Sequence, residues 1–427
     1  MEDSDGMAPG QPSLPPDAAP LKIVVATDPS PITYLSGLAV RFRIFLEYFV
    51  KECSRDEVHL VTAENVVPNP PTTCYGSIPI HYTWGFRLPQ YKAITLSLDL
   101  SARLWRLCLD HRFDVIHVSS PGMYLVPAIL SSRLQGIPLL MSYHTHLPVY
   151  MRTYFSAPWT GLMEWILWQL LRFVHSFADL TVATSPQIAD ELQEHGIRNV
   201  QLWPKGVNTT QYHPKWANQG TRTIMSAGNP DDLLLVYVGR LAREKRLKLL
   251  RPIMEGLLVR GIAVRLCVVG HGPESQELQE YMKGTPTTFL GRLEGPELSQ
   301  VYASADVFVM PSDSETLGFV VMESMASGVP VVASKAGGLI DLIQDGETGF
   351  LVPPNDTEAF VDRIATLHRN YSIRKEMALK GRARAELWSW DASMHFMRHT
   401  AYPTAIRNMS KRWEQRLFNL LWWPRGT

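Results

Sequence analysis

A chain of 427 residues is too long for one ordinary core, and two or three domains are expected. Hydrophobic residues at 45% and charged ones at 19% are the make-up of a globular protein, and 41 Lys+Arg against 41 Asp+Glu give no argument for nucleic acid as a partner. The four cysteines (Cys53, Cys74, Cys108, Cys267) form no C-x-x-C pair, so they signal neither a disulfide framework nor a zinc site and fit a reducing compartment best.

Residues 1–20 read as a disordered leader, without the apolar stretch of a secretory signal or the Arg-rich character of a transit peptide. From Leu21 the chain alternates short apolar runs with helical patterns. LKIVVAT (21–27), EVHLVTA (57–63), DVIHVSS (114–120), PLLMSYH (138–144) and LTVATS (180–185) read as buried strands. Helices are expected over Leu38–Lys51, Leu98–His111, Gly161–Phe177 and Pro186–His195. The most apolar segment, Leu162–Ala178, carries Glu164, Gln169 and Arg172 and is too polar to span a bilayer. The first domain is expected over 21–207, followed by a polar linker over 208–232.

The alternation then repeats over 233–390: LLLVYVGR (233–240), VRLCVVG (264–270), TTFLG (287–291), VFVMPS (307–312), PVVAS (330–334) and GFLV (349–352) are again short strands. Two Rossmann-like, doubly wound α/β domains facing one another follow from this pattern, with ligands outside the carboxyl ends of the strands. Residues 391–427 are expected to be C-terminal helices.

Polar groups gather at those strand ends. Arg240 and Lys245, in G-R-L-A-R-E-K-R, place two cations at a strand-to-helix junction, which suits a diphosphate; Arg243 and Arg246 read as solvated. In SDSETLGFVVMESMASGVPVV, Glu315 is expected to point into the cleft from a loop, with Glu323 one or two turns down a helix starting near Thr316–Leu317. Carboxylates suit sugar hydroxyls, and the N–H groups of Thr316, Leu317 and Gly318 would meet a phosphate at the helix start. The Gly270–Gly272 turn lets backbone approach a ligand, and the FLGRL segment ending at Leu293 offers backbone groups to a base edge. Ser36-Gly37, after the first strand, offers a second phosphate or sugar contact but is no G-x-G-x-x-G fingerprint, which disfavours a dinucleotide. His144 and His146 end a strand; a metal would need a third ligand not evident nearby, so contact with the donor sugar is favoured and no metal is expected.

GR-x4-K, the GHGP turn, PSDSETLGFVVMESMASGVPVVAS and AGGLIDLI–GETGFLVPP resemble the retaining GT-B glycosyltransferases of family 4 across 233–353. PSPITYLSG, DVIHVSSPG, SYHTHLPVY, ADLTVATS and LWPKGVN look like the sulfolipid synthases, which move sulfoquinovose from UDP-sulfoquinovose to diacylglycerol. After Gly37 this chain reads Leu-Ala-Val-Arg where those enzymes tend to have Tyr-Lys-Asn-Arg, so only Arg41 is kept.

The resemblance implies that Arg240 and Lys245 hold the diphosphate, Glu323 takes the ribose hydroxyls, Glu315 contacts the sugar and His144 meets it from the other domain. Gly37 would lie near the diphosphate, with Arg41 and His146 at the donor. It also implies front-face displacement with retention, no cofactor or metal beyond the nucleotide-sugar donor, and a peripheral place on a plastid membrane. Two stretches fit a membrane surface: the apolar run Trp159–Phe177, or else a buried core helix, and the tail with Trp413, Phe418, Trp422 and Trp423. Rival readings are a mannosyl- or glucosyltransferase acting on another lipid or a polyol, and a silent sugar-nucleotide binder.

Overall fold

The computed structural model describes residues 19–34, 36–64, 72–88, 91–154 and 159–421. The expected leader over 1–20, save its last two residues, and the pair Trp422–Trp423 lie outside these.

The first sheet contains β1 (Lys22–Thr27), β2 (Glu57–Glu64), β3 (Cys74–Tyr75), β4 (Ile78–Leu88), β5 (Tyr91–Leu98), β6 (Val115–Ser120), β7 (Leu139–Tyr143), β8 (Leu180–Ala183) and β9 (Val200–Leu202). Their order is β3-β4-β2-β1-β6-β7-β8-β9, with β5 beside β4. The second sheet contains β10 (Leu233–Val238), β11 (Val264–Val269), β12 (Thr287–Gly291), β13 (Val307–Met310), β14 (Val331–Ser334) and β15 (Gly349–Val352), in the order β12-β11-β10-β13-β14-β15. Every pairing in the second sheet is parallel, as is the centre of the first. Val, Ile and Leu runs make these strands because helices cover both faces, and an alternating pattern would bury polar side chains. The two wound domains of a GT-B fold are thus present.

Three expectations need correction. Residues 74–98 were not expected as strands, yet β4 and β5 form an antiparallel hairpin with Trp84 opposite Leu98. The following helix begins only at Arg103, because the Asp99 carboxylate accepts from the N–H groups of Arg103 and Leu104 at 2.8 and 3.1 Å and caps it there. The expected linker 208–232 is ordered: it holds the helix Gln219–Met225, buries Tyr212 and Met225 in the second core, and anchors Arg222 on Asp306 at 2.7 Å. It reads as a polar linker in the sequence, but Asn218 is the cap of that helix, accepting from Thr221 N.

The chain crosses between domains near Val207, whose N–H donates to Trp388 O at 3.1 Å. The helices Trp390–Phe396 and Tyr402–Leu421 then return to the first domain. Met394, Met397 and Tyr402 enter its core, the Tyr402 hydroxyl lies 2.9 Å from His117 Nδ1, Arg398 pairs with Asp56, and Arg412 pairs with Asp179 at 2.6 Å. Among the described residues no helix is long and apolar enough to cross a membrane.

Candidate functional site

The polar groups singled out in the sequence stand at the carboxyl ends of strands of both sheets, and the two ends meet. The helix Gly37–Glu52 starts at Gly37 behind the cap Ser36, which accepts from Ala39 N. A Cβ on Gly37 would lie 2.8 Å from the Phe319 ring of the second domain, so glycine is needed for this approach. Phe319 stacks on Trp390 at 5.7 Å, and the Thr184 hydroxyl donates to Thr316 O at 3.4 Å. Lys205, over the Trp388 ring, is ion-paired with Asp341. Phe319, Thr184 and Lys205 lie within segments quoted for the resemblance but were given no role there, and Trp390 lies outside them all, so sequence reasoning missed the part that each of the four plays.

On the second domain, Arg240 follows β10 with its carbonyl accepting from the Tyr237 hydroxyl at 3.1 Å. Lys245 Nζ is bonded to Glu315 Oε1, and both side chains are largely buried. Arg246, expected to be solvated, is partly exposed at φ +54° and also binds Asp313 at 2.7 Å; Arg243 is exposed, as read.

The helix holding Glu323 begins at Phe319, two residues later than expected, after Gly318 at φ +81°. Thr316, Leu317 and Gly318 therefore form the turn leading into it, and no side chain caps its first N–H groups. The loop 336–338 braces this turn: Gly338 N donates to Glu315 O at 2.7 Å, and a Cβ on Gly337 would strike that same oxygen. Glu323 Oε2 accepts from the Tyr302 hydroxyl at 2.8 Å. Burial pushes its carboxyl up to about 7, against the hydrogen bonds from Tyr302 and Tyr212 that favour the anion.

Gly270 and Gly272 answer a packing need that the sequence did not show. Added Cβ atoms would lie 1.8 Å from Gly239 O and 2.2 Å from Leu241 O, so these glycines let two strand-end loops of the protein itself close on one another. They thereby fix the Arg240 loop. Leu293 is half-buried against the second core, beyond β12.

On the first domain, His144 follows β7 with its N–H on Ser120 O. Its ring lies 5.5 Å from Phe42 and 5.6 Å from Trp203, and its buried Nε2 has no hydrogen-bond partner. Burial, then the charge of Arg41, holds it well below the usual histidine range, so it is neutral. Arg41 sits one turn after Gly37 on the same helix face and is 1% exposed. Its Nη2 donates to Pro204 O at 3.2 Å and its guanidinium lies 4.6 Å over Trp203, while Nε and Nη1 have no partner. Burial pulls its pKa down to about 9.

His146 is not brought to this group. Its Nε2 is 2.7 Å from Glu191 Oε2 and its ring meets Tyr143 and Trp168, none of which is a predicted site residue. The helix Thr160–His175 is not the buried core helix of the alternative reading. Leu162, Trp165 (59% exposed), Ile166, Leu170 and Phe173 (62%) turn outward, and Val126, Leu130 and Leu134 do the same on the helix Leu125–Gln135.

Residues 36–211 match the family model described as Glycosyltransferase Family 4, and residues 232–370 match that described as Glycosyl transferases group 1. A sulfoquinovosyl transferase of Arabidopsis thaliana is 38% identical over 406 residues, covering 92% of this chain and 76% of the relative. A GDP-mannose-dependent alpha-mannosyltransferase of Mycobacterium tuberculosis is 36% identical over 299 residues, covering 68% of this chain and 75% of the relative. Among solved structures, sucrose-phosphate synthase of Thermosynechococcus elongatus superposes with TM-score 0.68 at 22% identity, covering 88% of this chain and 97% of that one. Anabaena HepE, solved with UDP and glucose, does so with TM-score 0.67 at 19% identity, covering 89% and 99%. The structural likenesses concern the fold.

Proposed function

This chain belongs to the family 4 glycosyltransferases, and within that family we propose that it moves sulfoquinovose from UDP-sulfoquinovose to diacylglycerol with retention at the anomeric carbon. The observation that carries this reading is Arg41. A buried guanidinium with two unpartnered nitrogens and, among the described residues, no paired carboxylate is costly, and an anionic sugar substituent such as a sulfonate supplies the missing counter-charge. The name of the Arabidopsis relative supports the same donor.

On this reading Arg240, Lys245 and the N–H groups of Thr316, Leu317 and Gly318 meet the diphosphate, Glu323 the ribose hydroxyls, and Glu315 and His144 the sugar. The acceptor hydroxyl oxygen bonds to the anomeric carbon on the face from which UDP leaves. The carbon–oxygen bond to the diphosphate breaks, its electron pair goes to UDP, and a donor phosphate oxygen takes the acceptor's proton. Fixed charges facing the departing diphosphate stabilise the transition state without reorganising. The outward apolar faces of the helices Leu125–Gln135 and Thr160–His175 support a lipid acceptor and a peripheral place on a membrane, in this reading a plastid one.

A second reading is mannosyl transfer from GDP-mannose, favoured by the mycobacterial relative and by the Leu-Ala-Val stretch before Arg41. Turnover on diacylglycerol liposomes with UDP-sulfoquinovose, UDP-glucose and GDP-mannose decides between them. Transfer from UDP-sulfoquinovose alone is expected. Transfer from GDP-mannose reassigns the donor, and none from any donor leaves a silent binder.

A further inference from the structure

At the opposite end of the first sheet from the cleft, three ligand-bearing side chains meet. Glu57 opens β2, His59 follows two residues on along the same strand face, and His111 closes the helix Arg103–His111. Glu57 Oε1 lies 3.3 Å from His59 Nε2 and 2.8 Å from His111 Nδ1, and the three donor atoms are all within 4.8 Å of one another. A tetrahedral ion with ligands at ~2.0–2.2 Å sets donor atoms ~3.3–3.6 Å apart, so shifts of under ~1 Å suffice. The other carboxylate oxygen is held by Lys22 at 3.0 Å, which leaves Oε1 to face the imidazoles.

A further histidine stands behind them. His81 on β4 places Nε2 3.0 Å from His59 Nδ1, with the rings stacked at 5.1 Å. If His59 Nδ1–H donates to His81, the His59 Nε2 lone pair faces the Glu57 carboxylate, and a cation between them would satisfy both acceptors. That is the arrangement in which an outer partner fixes the tautomer of a metal-bound histidine. In the opposite tautomer, the four side chains form a closed hydrogen-bond relay that needs no ion. Burial, then the neighbouring His111, lowers His59 below its ordinary range, and burial lowers His81 to about 4. A cleft lined by Ser54, Asp56, Glu57 and His59 opens the group to solvent, which supplies an entry path and a water ligand.

We infer that Glu57, His59 and His111 form a site for a divalent cation of the zinc class, with His81 in its outer shell and water in the fourth position. Two imidazoles and one carboxylate suit that ion. The site ties the start of β2 to a helix end 54 residues away and plays no part in the transfer reaction. Tag-free, full-length protein, stripped with a chelator, is titrated with Zn²⁺, and bound metal is counted after gel filtration. One equivalent and a raised melting temperature are expected. Glu57→Gln and His111→Gln, both at the surface, should each lose that equivalent, and His81→Asn should weaken binding about 10- to 100-fold. Melting of the metal-free variants separates a lost ligand from a lost fold, and X-ray absorption of the wild-type complex reads the imidazoles directly. Zero equivalents on the wild type, an equivalent kept by both glutamine variants, or a spectrum without imidazole scattering would overturn the inference.

Discussion

Lys245 Nζ and Glu315 Oε1 are bonded to each other across 70 residues of sequence. The ammonium assigned to the diphosphate and the carboxylate assigned to the sugar thus neutralise one another at the mouth of the second sheet. A donor that engages both exchanges this contact for its own. On the proposed roles, removing the cation takes away a charge that faces the leaving group. We expect Lys245→Ala to lose about 100- to 1,000-fold in kcat, or about 2.7–4 kcal/mol, with the fold intact by melting. Turnover near the wild-type value would remove Lys245 from the machinery.

If Glu323 takes the ribose hydroxyls as proposed, it gives the reaction a pH dependence. Its carboxyl titrates at about 7 because burial disfavours the anion. Below that pH it is protonated and accepts ribose hydroxyls poorly, so donor KM should fall as pH rises through about 7. The stability effect has the opposite sign. The native carboxyl holds its proton more tightly than the unfolded one, so stability falls as pH climbs from the ordinary carboxylate range to about 7. Glu323→Gln should flatten both profiles, and a donor KM that still tracks pH in that variant would place the titration elsewhere.

Arg41→Met keeps the apolar stem over Trp203 and removes the buried charge. Loss of a charge-assisted hydrogen bond should lower kcat/KM for UDP-sulfoquinovose about 10- to 100-fold while leaving UDP-glucose little changed. An equal loss with both donors would give Arg41 a purely structural task, joining its helix to Pro204.

Gly270→Ala should destabilise the second domain by at least about 1–3 kcal/mol. The residue sits at φ +138°, and its new Cβ would overlap Gly239 O. Because the Arg240 loop must move to make room, kcat should fall together with the melting temperature. An unchanged melting curve would contradict the loop packing described.

Trp165→Glu combined with Ile166→Glu should abolish co-sedimentation with anionic diacylglycerol vesicles. Both side chains point outward, so the melting temperature should hold, exposed substitutions costing within about 0.5 kcal/mol each. Undiminished sedimentation would move the membrane contact away from this helix.

The strands of both sheets were legible because a parallel strand covered on two faces needs a short run of Val, Ile and Leu wherever it occurs. LLLVYV and VRLCVV became β10 and β11 for that reason. The hairpin β4–β5 was not legible: TWGFRL and AITLSL mix polar and apolar residues at an edge, where one face is open and the pattern is weak. Asn218 and Asp99 were visible as polar residues, but their work as helix caps depends on backbone geometry that composition does not state.

By itself the sequence determined the repeated strand–helix period, the two domains, and the placing of Arg240, Glu315, His144 and Gly37 at strand ends, because periodicity and turn chemistry act over a few neighbouring residues. Only the tertiary structure decided which of those groups meet. It set Gly37 against Phe319, turned His146 to Glu191 across 45 residues, spent Gly270 and Gly272 on a contact between two loops, and gathered Glu57, His59 and His111 at the far end of the sheet. Those are contacts between distant segments, fixed by how helices and sheets pack and by which polar atoms are left without water, and no local pattern encodes them.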